Sequence, residues 1–310
     1  MKYEDYQFEV PKEQVDENEF DIEKWRCEHP VDYLKTMHLI DMFPDKNIAF
    51  TAVYKVMRMY VPDTLYKYYS LTDNIQLNEQ KFETLQQNKI FTCEAKYLND
   101  PFDNKAYFYN HNKLKKYDEL KEHDGRLIED FSSFSKVTAL TSNKVNSMPM
   151  WAHYSNNHQG FCISYEMQNE KNMQLSSCTF PVQYTDERID VTSLMIKQMD
   201  NILNQAEIQT SRGIKKIKID DLSLIFMTAL FTNIKYISWS YENEFRCTIS
   251  DSEKKESYVS AFPKEIFIGM NCMSTYREKL INIGKKLGIP VYQMIYDELS
   301  WDFNLVPKKI

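Results

Sequence analysis

The chain is predicted to fold as α+β: a mixed, mainly antiparallel sheet core with surrounding helices and an N-terminal helical extension. Three observations predict this. Short stretches rich in aromatic and β-branched residues (TLYKYYS, VTALTS, GFCISY, PKEIFIGM) outnumber the strands that a helical bundle would hold. Between them lie segments whose apolar residues recur at helical spacing. The 310 residues, 43% hydrophobic and 14% aromatic, are enough for a substantial core, and only 6 glycines and 10 prolines leave no room for a flexible linker.

Residues 1–62 read as the helical extension, an acidic start followed by DIEKWRCEHPVDYLKTMHLIDMF and NIAFTAVYKVMRMYV. Residues 63–310 read as the α+β domain that carries any chemistry. Pro62 and Asp63 punctuate the chain before the strand TLYKYYS. A helix is expected over Asn78 to Asn88, then the strand IFTCEA, then a polar turn at Asn99-Asp100-Pro101-Phe102-Asp103, most simply an Asx-turn. Residues 105–135 read as mostly helical and 137–142 as a strand. MWAHY around Trp151 to Tyr154 reads as a short helical element, Gly160 to Tyr165 as a buried strand, and PVQYTDE as another strand. A helical insertion of two helices is expected at about 191–235. WSYENEFRCTIS, from Trp239, reads as a strand. The tail reads strand, helix, strand, with Gly288 at the helix C-cap.

Charge and motifs exclude several classes. A net charge of −7 argues against a protein that coats nucleic acid, although Arg212, Lys215, Lys216 and Lys218 form a local basic strip. The six cysteines are scattered without a CxxC pair and read as reduced core residues. The polar, acidic N-terminus does not resemble a signal peptide, and no run approaches the roughly 18 apolar residues of a membrane span, so the expectation is a cytoplasmic protein without a membrane partner. P-loop, GxGxxG and HExxH patterns are absent. His153 and His158, five apart, miss the i, i+4 spacing of two ligands on one helix face, so no metal site is assigned. Cys162 sits in an apolar strand, an unfavourable place for a thiol nucleophile.

The stretch Trp239 to Cys247 is the most suggestive. In a strand, Glu242 and Glu244 project from one face and Tyr241, Asn243 and Phe245 from the other. Two carboxylates so close either face solvent, pair with Arg246, or serve a reaction.

LYKYYS, IFTCEAKYLNDPFD, MWAHYSNNHQGFCISYE and K-x3-W-S-Y-E-N-E-F-R, in this order, resemble the bacterial family called domain of unknown function 2971, over roughly residues 64–300. That label states no activity. A basic or polar residue on an early strand, a Ser or Thr ending a middle strand and Glu-x-Glu on a later one is also similar to ADP-ribosyltransferase-like folds. This second likeness implies an NAD-dependent ADP-ribosyltransferase or NAD glycohydrolase. Its target would be a macromolecular acceptor, protein or nucleic acid, in the role of a bacterial toxin or antiphage defence effector, with an antitoxin or regulatory partner in view.

Under that likeness Glu244 stabilises an oxocarbenium-like transition state and holds the ribose hydroxyls, and Glu242 orients or deprotonates the acceptor. Lys67 holds a phosphate of NAD, Thr141 (or Ser142) supplies the middle hydroxyl, and Tyr68, Trp151 or Tyr154 stacks on a ring. His153 is counted with these cofactor-binding residues, its other reading being a core histidine bonded to a backbone carbonyl. The chain departs from the pattern at Tyr69, where an Arg is common, and at Leu140-Thr141, which replaces Phe-Ser. The alternatives are a non-catalytic nucleotide- or protein-binding module, and a metal-dependent nuclease with Glu242, Glu244, Asp100 and Asp103 around a divalent cation. The NAD reading expects Lys67, Tyr154 and Glu244 to converge on one cleft.

Overall fold

The computed structural model describes residues 20–103, 105–126, 135–216, 232–250 and 257–310. The chain forms two compact units, each drawn from three segments. The first comprises Met1–Tyr60, Glu94–Ser135 and Val182–Trp239, and the second Val61–Cys93, Lys136–Pro181 and Ser240–Ile310.

The first unit is mainly helical. Its N-terminal helices Ile22–Glu28, Tyr33–Met42 and Lys46–Met59 each begin at an aspartate, and Asp21, Asp32 and Asp45 accept hydrogen bonds from backbone N–H groups of the first turn. The third helix buries Ala49, Val53 and Met57, one stripe at i, i+4 and i+8. The long helix Thr192–Ser211 matches the first half of the expected insertion; the second half falls largely outside the described residues. Two parallel ribbons complete the unit, Tyr107–Phe108 with Ile189–Asp190 and Gln183–Thr185 with Ile234–Tyr236. The region 105–135 is less helical than expected: among its described residues are that short strand and two four-residue helices, His111–Leu114 and Asp118–Lys121. Its lysines and acids are spent on local pairs such as Lys115 with Asp124, and it has few apolar positions with which to anchor a long helix.

The second unit is built on a nine-stranded sheet. In chain order its strands are β1 (Thr64–Tyr69), β2 (Cys93–Glu94), β3 (Ser135–Thr141), β4 (Phe161–Glu166), β5 (Thr179–Pro181), β6 (Glu244–Ser250), β7 (Pro263–Ile268), β8 (Val291–Tyr296) and β9 (Leu305–Lys309). Their order across the sheet is β9-β8-β7-β4-β1-β3-β6-β5, with β2 paired to β3 off that path. The ladders β1 with β3 and β4, β4 with β7, β5 with β6, and β8 with β9 are antiparallel. β7 and β8 run parallel, and helix Ser274–Leu287 makes the crossover that parallel strands require. That helix ends at Gly288, φ +68°, as expected of a C-cap glycine. The fold is therefore α+β with a mainly antiparallel sheet.

The sheet is covered on both faces. Leu65, Phe161, Ile163, Tyr165, Phe245 and Cys247 face a larger core with Phe82 and Leu85 of helix Ile75–Gln86 and Leu280 and Ile283 of Ser274–Leu287. Tyr68, Cys162, Phe267 and Met294 face a smaller core closed by Val145, Met150 and Trp151. Central β4 is buried on both faces, which is why FCISYE reads as a nearly continuous apolar run. The cysteines are free thiols; Cys162 and Cys247 are buried, but Cys27 is exposed and not a core residue.

Gly160 enters β4 against the end of β1, where a Cβ would lie 1.9 Å from the carbonyl oxygen of Tyr69. Gly160→Ala is expected to destabilise the protein by about 3 kcal/mol or more, because backbone and not a flexible side chain must yield. Urea unfolding of the two proteins measures it; a loss under about 1 kcal/mol would show that β1 and β4 can part at that end.

Candidate active site

The segment Ile237–Glu242 is a 3-10 helix and the strand begins only at Glu244, so the expectation of a strand from Trp239 is overturned. Asn243 between them has φ +42°, a left-handed conformation that Asn tolerates better than most residues. Glu242 and Glu244 therefore do not share a strand face. Ser142 N–H donates to the Asn243 carbonyl at 3.1 Å, and Asn143 Nδ2 donates to the Tyr241 carbonyl at 2.6 Å, so the loop after β3 clamps this turn. The strand hydroxyl expected to matter, Thr141, donates to the carbonyl oxygen of Glu242 at 2.5 Å and accepts from Asn143 N–H at 2.9 Å. Its hydroxyl thereby holds the backbone of Glu242.

The two carboxylates have different environments. Glu244 is 5% exposed and Arg246 is fully buried; Arg246 Nε donates to Glu244 Oε1 at 2.7 Å and Nη2 to Oε2 at 3.2 Å. This is a two-pronged, charge-assisted pair in a desolvated place. Glu242, 3% exposed, accepts a short hydrogen bond from the Tyr154 hydroxyl. Tyr154 is half-buried at the end of helix Met148–Tyr154. His153, on that helix, is exposed, its ring 6.2 Å from the Tyr241 ring. It is not a core histidine.

The helix is fixed from below. Trp151 is fully buried, donates from Nε1 to the Val145 carbonyl at 2.6 Å, and meets the Tyr68 ring edge-on at 5.0 Å and 85°. Both rings are buried in the smaller core. Burial pushes the Tyr68 hydroxyl well above the usual phenol range. After the helix, Asn156, Asn157 and His158 have φ of 53°, 53° and 65°, one turn of left-handed backbone in which Asn157 and His158 N–H groups donate to the Ala152 and Trp151 carbonyls. His158 stacks on Trp151 at 6.1 Å, and burial lowers its pKa.

Lys67 does not join this group. Strand alternation puts it with Leu65 and Tyr69 on the face of the larger core, whereas Glu244 and Arg246 lie opposite Phe245 and Cys247, on the other face. Its ammonium donates to the Ala139 carbonyl at 3.2 Å and lies 5.4 Å from the centre of the Tyr69 ring. Burial pushes its pKa down to about 8, against smaller upward effects of Cys93, Glu244 and Cys247. So Tyr154, Thr141 and Glu242 come together, while Lys67 lies on the opposite face of the sheet, where Glu244 still acts on its charge. Asp100 and Asp103 belong to the first unit and the two glutamates to the second. Among the described residues no group of three His, Cys, Asp or Glu side chains is arranged to hold a metal ion. The sequence reading missed the clamp residues Asn143 and Tyr241; the only signal of it was the run of short polar side chains after β3.

Two expectations follow from this geometry. Glu244→Gln removes the carboxylate that the buried Arg246 guanidinium grips with two hydrogen bonds and should cost about 3–5 kcal/mol in urea unfolding; a loss under about 1 kcal/mol would contradict a structural role for the pair. Lys67 binds its proton less tightly when folded (pKa about 8) than in its ordinary state (10.5), so the unfolded chain holds more protons between those values and folding gains stability as pH rises through them. Melting curves of wild type and Lys67→Met from pH 7.5 to 10 should therefore shift in favour of wild type, and a constant difference would refute it.

Among the described residues no helix is long and apolar enough to cross a membrane. No curated protein and no solved structure matches the chain. Residues 150–247 match the model of the family described as Protein of unknown function (DUF2971), a span that holds Trp151, Tyr154, the left-handed turn, Glu242 and Glu244.

Proposed function

We propose that this chain is an enzyme that cleaves the N-ribosidic bond of NAD, passing ADP-ribose to a macromolecular acceptor or to water, with Glu242 as the carboxylate that acts on the ribose. One observation carries the reading: a buried carboxylate at the end of the sheet, held through its backbone by the Thr141 hydroxyl and through its side chain by Tyr154. The resemblance to ADP-ribosyltransferase-like folds supports it further, since LYKYYS and VTALTS form neighbouring strands, β1 and β3, and β6 after the Glu-x-Glu turn lies next to β3.

The chemistry asks for little more. As the bond between ribose C1′ and nicotinamide breaks, the bonding pair leaves with the neutral nicotinamide and positive charge develops on the ribose. A fixed carboxylate in a water-poor site stabilises that charge. The Tyr154 hydroxyl, donating to Glu242, holds the carboxylate in one orientation. The incoming acceptor hydroxyl or water forms the new bond to C1′ and passes its proton to the Glu242 carboxylate, which returns it to solvent. Glu244 is spent on Arg246, and its role is to carry that buried charge. Lys67, on the other face, is not assigned a phosphate.

Nicotinamide release from NAD, with and without cell lysate, tests this. Wild type is expected to release it and Glu242→Gln to lose at least a hundredfold in rate, the usual scale for removing one electrostatic stabiliser. Release undiminished in Glu242→Gln would move the chemistry elsewhere. No release under either condition would overturn the enzymatic reading in favour of a nucleotide- or protein-binding module.

A further inference from the structure

A second polar cluster lies on the same face of the sheet as Glu244. Backbone register pairs Thr141 with Tyr66, Tyr66 with Ser164, and Ser164 with Glu265, so these four residues form one row across β3, β1, β4 and β7. The next row is Tyr68, Cys162, Phe267 and Tyr292, which fixes the face: Tyr68, Cys162 and Phe267 are in the smaller core, and alternation places their i−2, i+2 and i−2 neighbours Tyr66, Ser164 and Glu265 beside them. Ser164 Oγ donates to Glu265 Oε2 at 3.0 Å. Burial and the neighbouring Glu265 carboxylate raise the pKa of the Tyr292 hydroxyl. Tyr66 is raised by burial, Cys162 and Glu265.

Glu265 is half-buried and has no cation partner among the described residues. A carboxylate has about four acceptor positions, and the Ser164 hydroxyl occupies one of them here. What suits the remainder is further hydroxyl donors, and two vicinal hydroxyls match the spacing of two carboxylate oxygens. Beside it the half-exposed Tyr292 ring stacks on buried Phe267 at 5.2 Å and 15°, a rigid aromatic surface at the edge of the carboxylate. An aromatic plane next to a diol acceptor is the chemistry of nucleoside recognition. Three interstrand steps separate Glu265 from Thr141, about 14 Å at the usual strand spacing. One ribose does not bridge that distance, whereas a dinucleotide has two riboses joined by a pyrophosphate.

We propose that Glu265, Ser164, Tyr66 and Tyr292 form a second subsite that takes the ribose hydroxyls of a nucleoside, the far end of a dinucleotide whose other ribose lies at Glu242. This rests on the NAD reading but is tested apart from it, with ADP as the probe, because ADP carries the far nucleoside and the pyrophosphate but no scissile ribose. Calorimetry on the full chain should show ADP bound by wild type and by Glu242→Gln alike, and at least tenfold more weakly by Glu265→Gln. Wild type should also bind 2′,3′-dideoxy-ADP at least tenfold more weakly than ADP, a comparison that needs no variant to fold. Equal binding by wild type and Glu265→Gln, equal binding of the two nucleotides, or no binding of ADP at millimolar concentration would each overturn the subsite. ADP binding that depends on Glu265 in a protein that releases no nicotinamide would leave the subsite standing and remove only the catalytic reading; nicotinamide release with ADP binding indifferent to Glu265 would do the reverse.

Discussion

The buried guanidinium of Arg246 is the constraint around which the candidate site is arranged. A charge taken out of water is tolerated only with a partner of opposite sign and good geometry, and Glu244, two residues earlier on the same strand face, supplies both. That requirement fixes the register of β6. Phe245 and Cys247 then point into the larger core, and a slip by one residue would exchange an ion pair for apolar side chains on each face. It also divides the labour of the two glutamates, since a carboxylate gripped by an arginine fork in a dry place is poorly suited to respond to charge on a substrate. Glu242 lies outside the strand and accepts from the Tyr154 phenol, a contact from a different helix.

Glu242 reaches its position through backbone contacts distant in sequence. Thr141 and Ser142 at the end of β3 hold the carbonyls of Glu242 and Asn243, and Asn143 holds that of Tyr241. Tyr154 comes from a helix anchored by Trp151 and ended by the left-handed Asn156-Asn157-His158 turn, which leads through Gly160 into β4. Each support is itself part of the core or of a backbone hydrogen bond. Precision at the site is thus tied to the same contacts that stabilise the second unit, an arrangement suited to a side chain that must be preorganised.

Much of this was legible in the sequence. Aromatic and β-branched runs located β1, β3, β4, β7 and β8, because a strand buried on one or both faces must present them. Gly288 marked a helix end because only a residue without Cβ enters the left-handed region at low cost. The failures have equally specific causes. β9 (LVPKK) carries a proline and two lysines, the composition of an edge strand that discourages further pairing and so does not look like a strand. The turn at Glu242 was hidden because ISWSYE has aromatic residues that suit either a strand or a 3-10 turn. Tertiary clamps from β3, a hundred residues earlier, decide between them. Lys67 was misplaced for a simpler reason: alternation tells which neighbours share a face but not which face of the sheet holds the site. Tyr66 and Tyr68, one residue to either side, point the other way.

The side on which Lys67 lies has a chemical consequence. An amine whose pKa is about 8 changes charge within the range in which a cell operates. Placed beside Glu242, it would pair with the carboxylate at low pH and release it at higher pH, making electrostatic stabilisation of a cationic transition state depend on pH. Kept on the far face, donating to the Ala139 carbonyl and against the Tyr69 ring, it affects the stability of the sheet, while Glu244 is held by a guanidinium that remains charged at any pH the fold survives. The permanent charge is thus matched by Glu244 within β6, and the titrating one lies on the opposite face, so the pH dependence that Lys67 brings falls on the stability of the sheet.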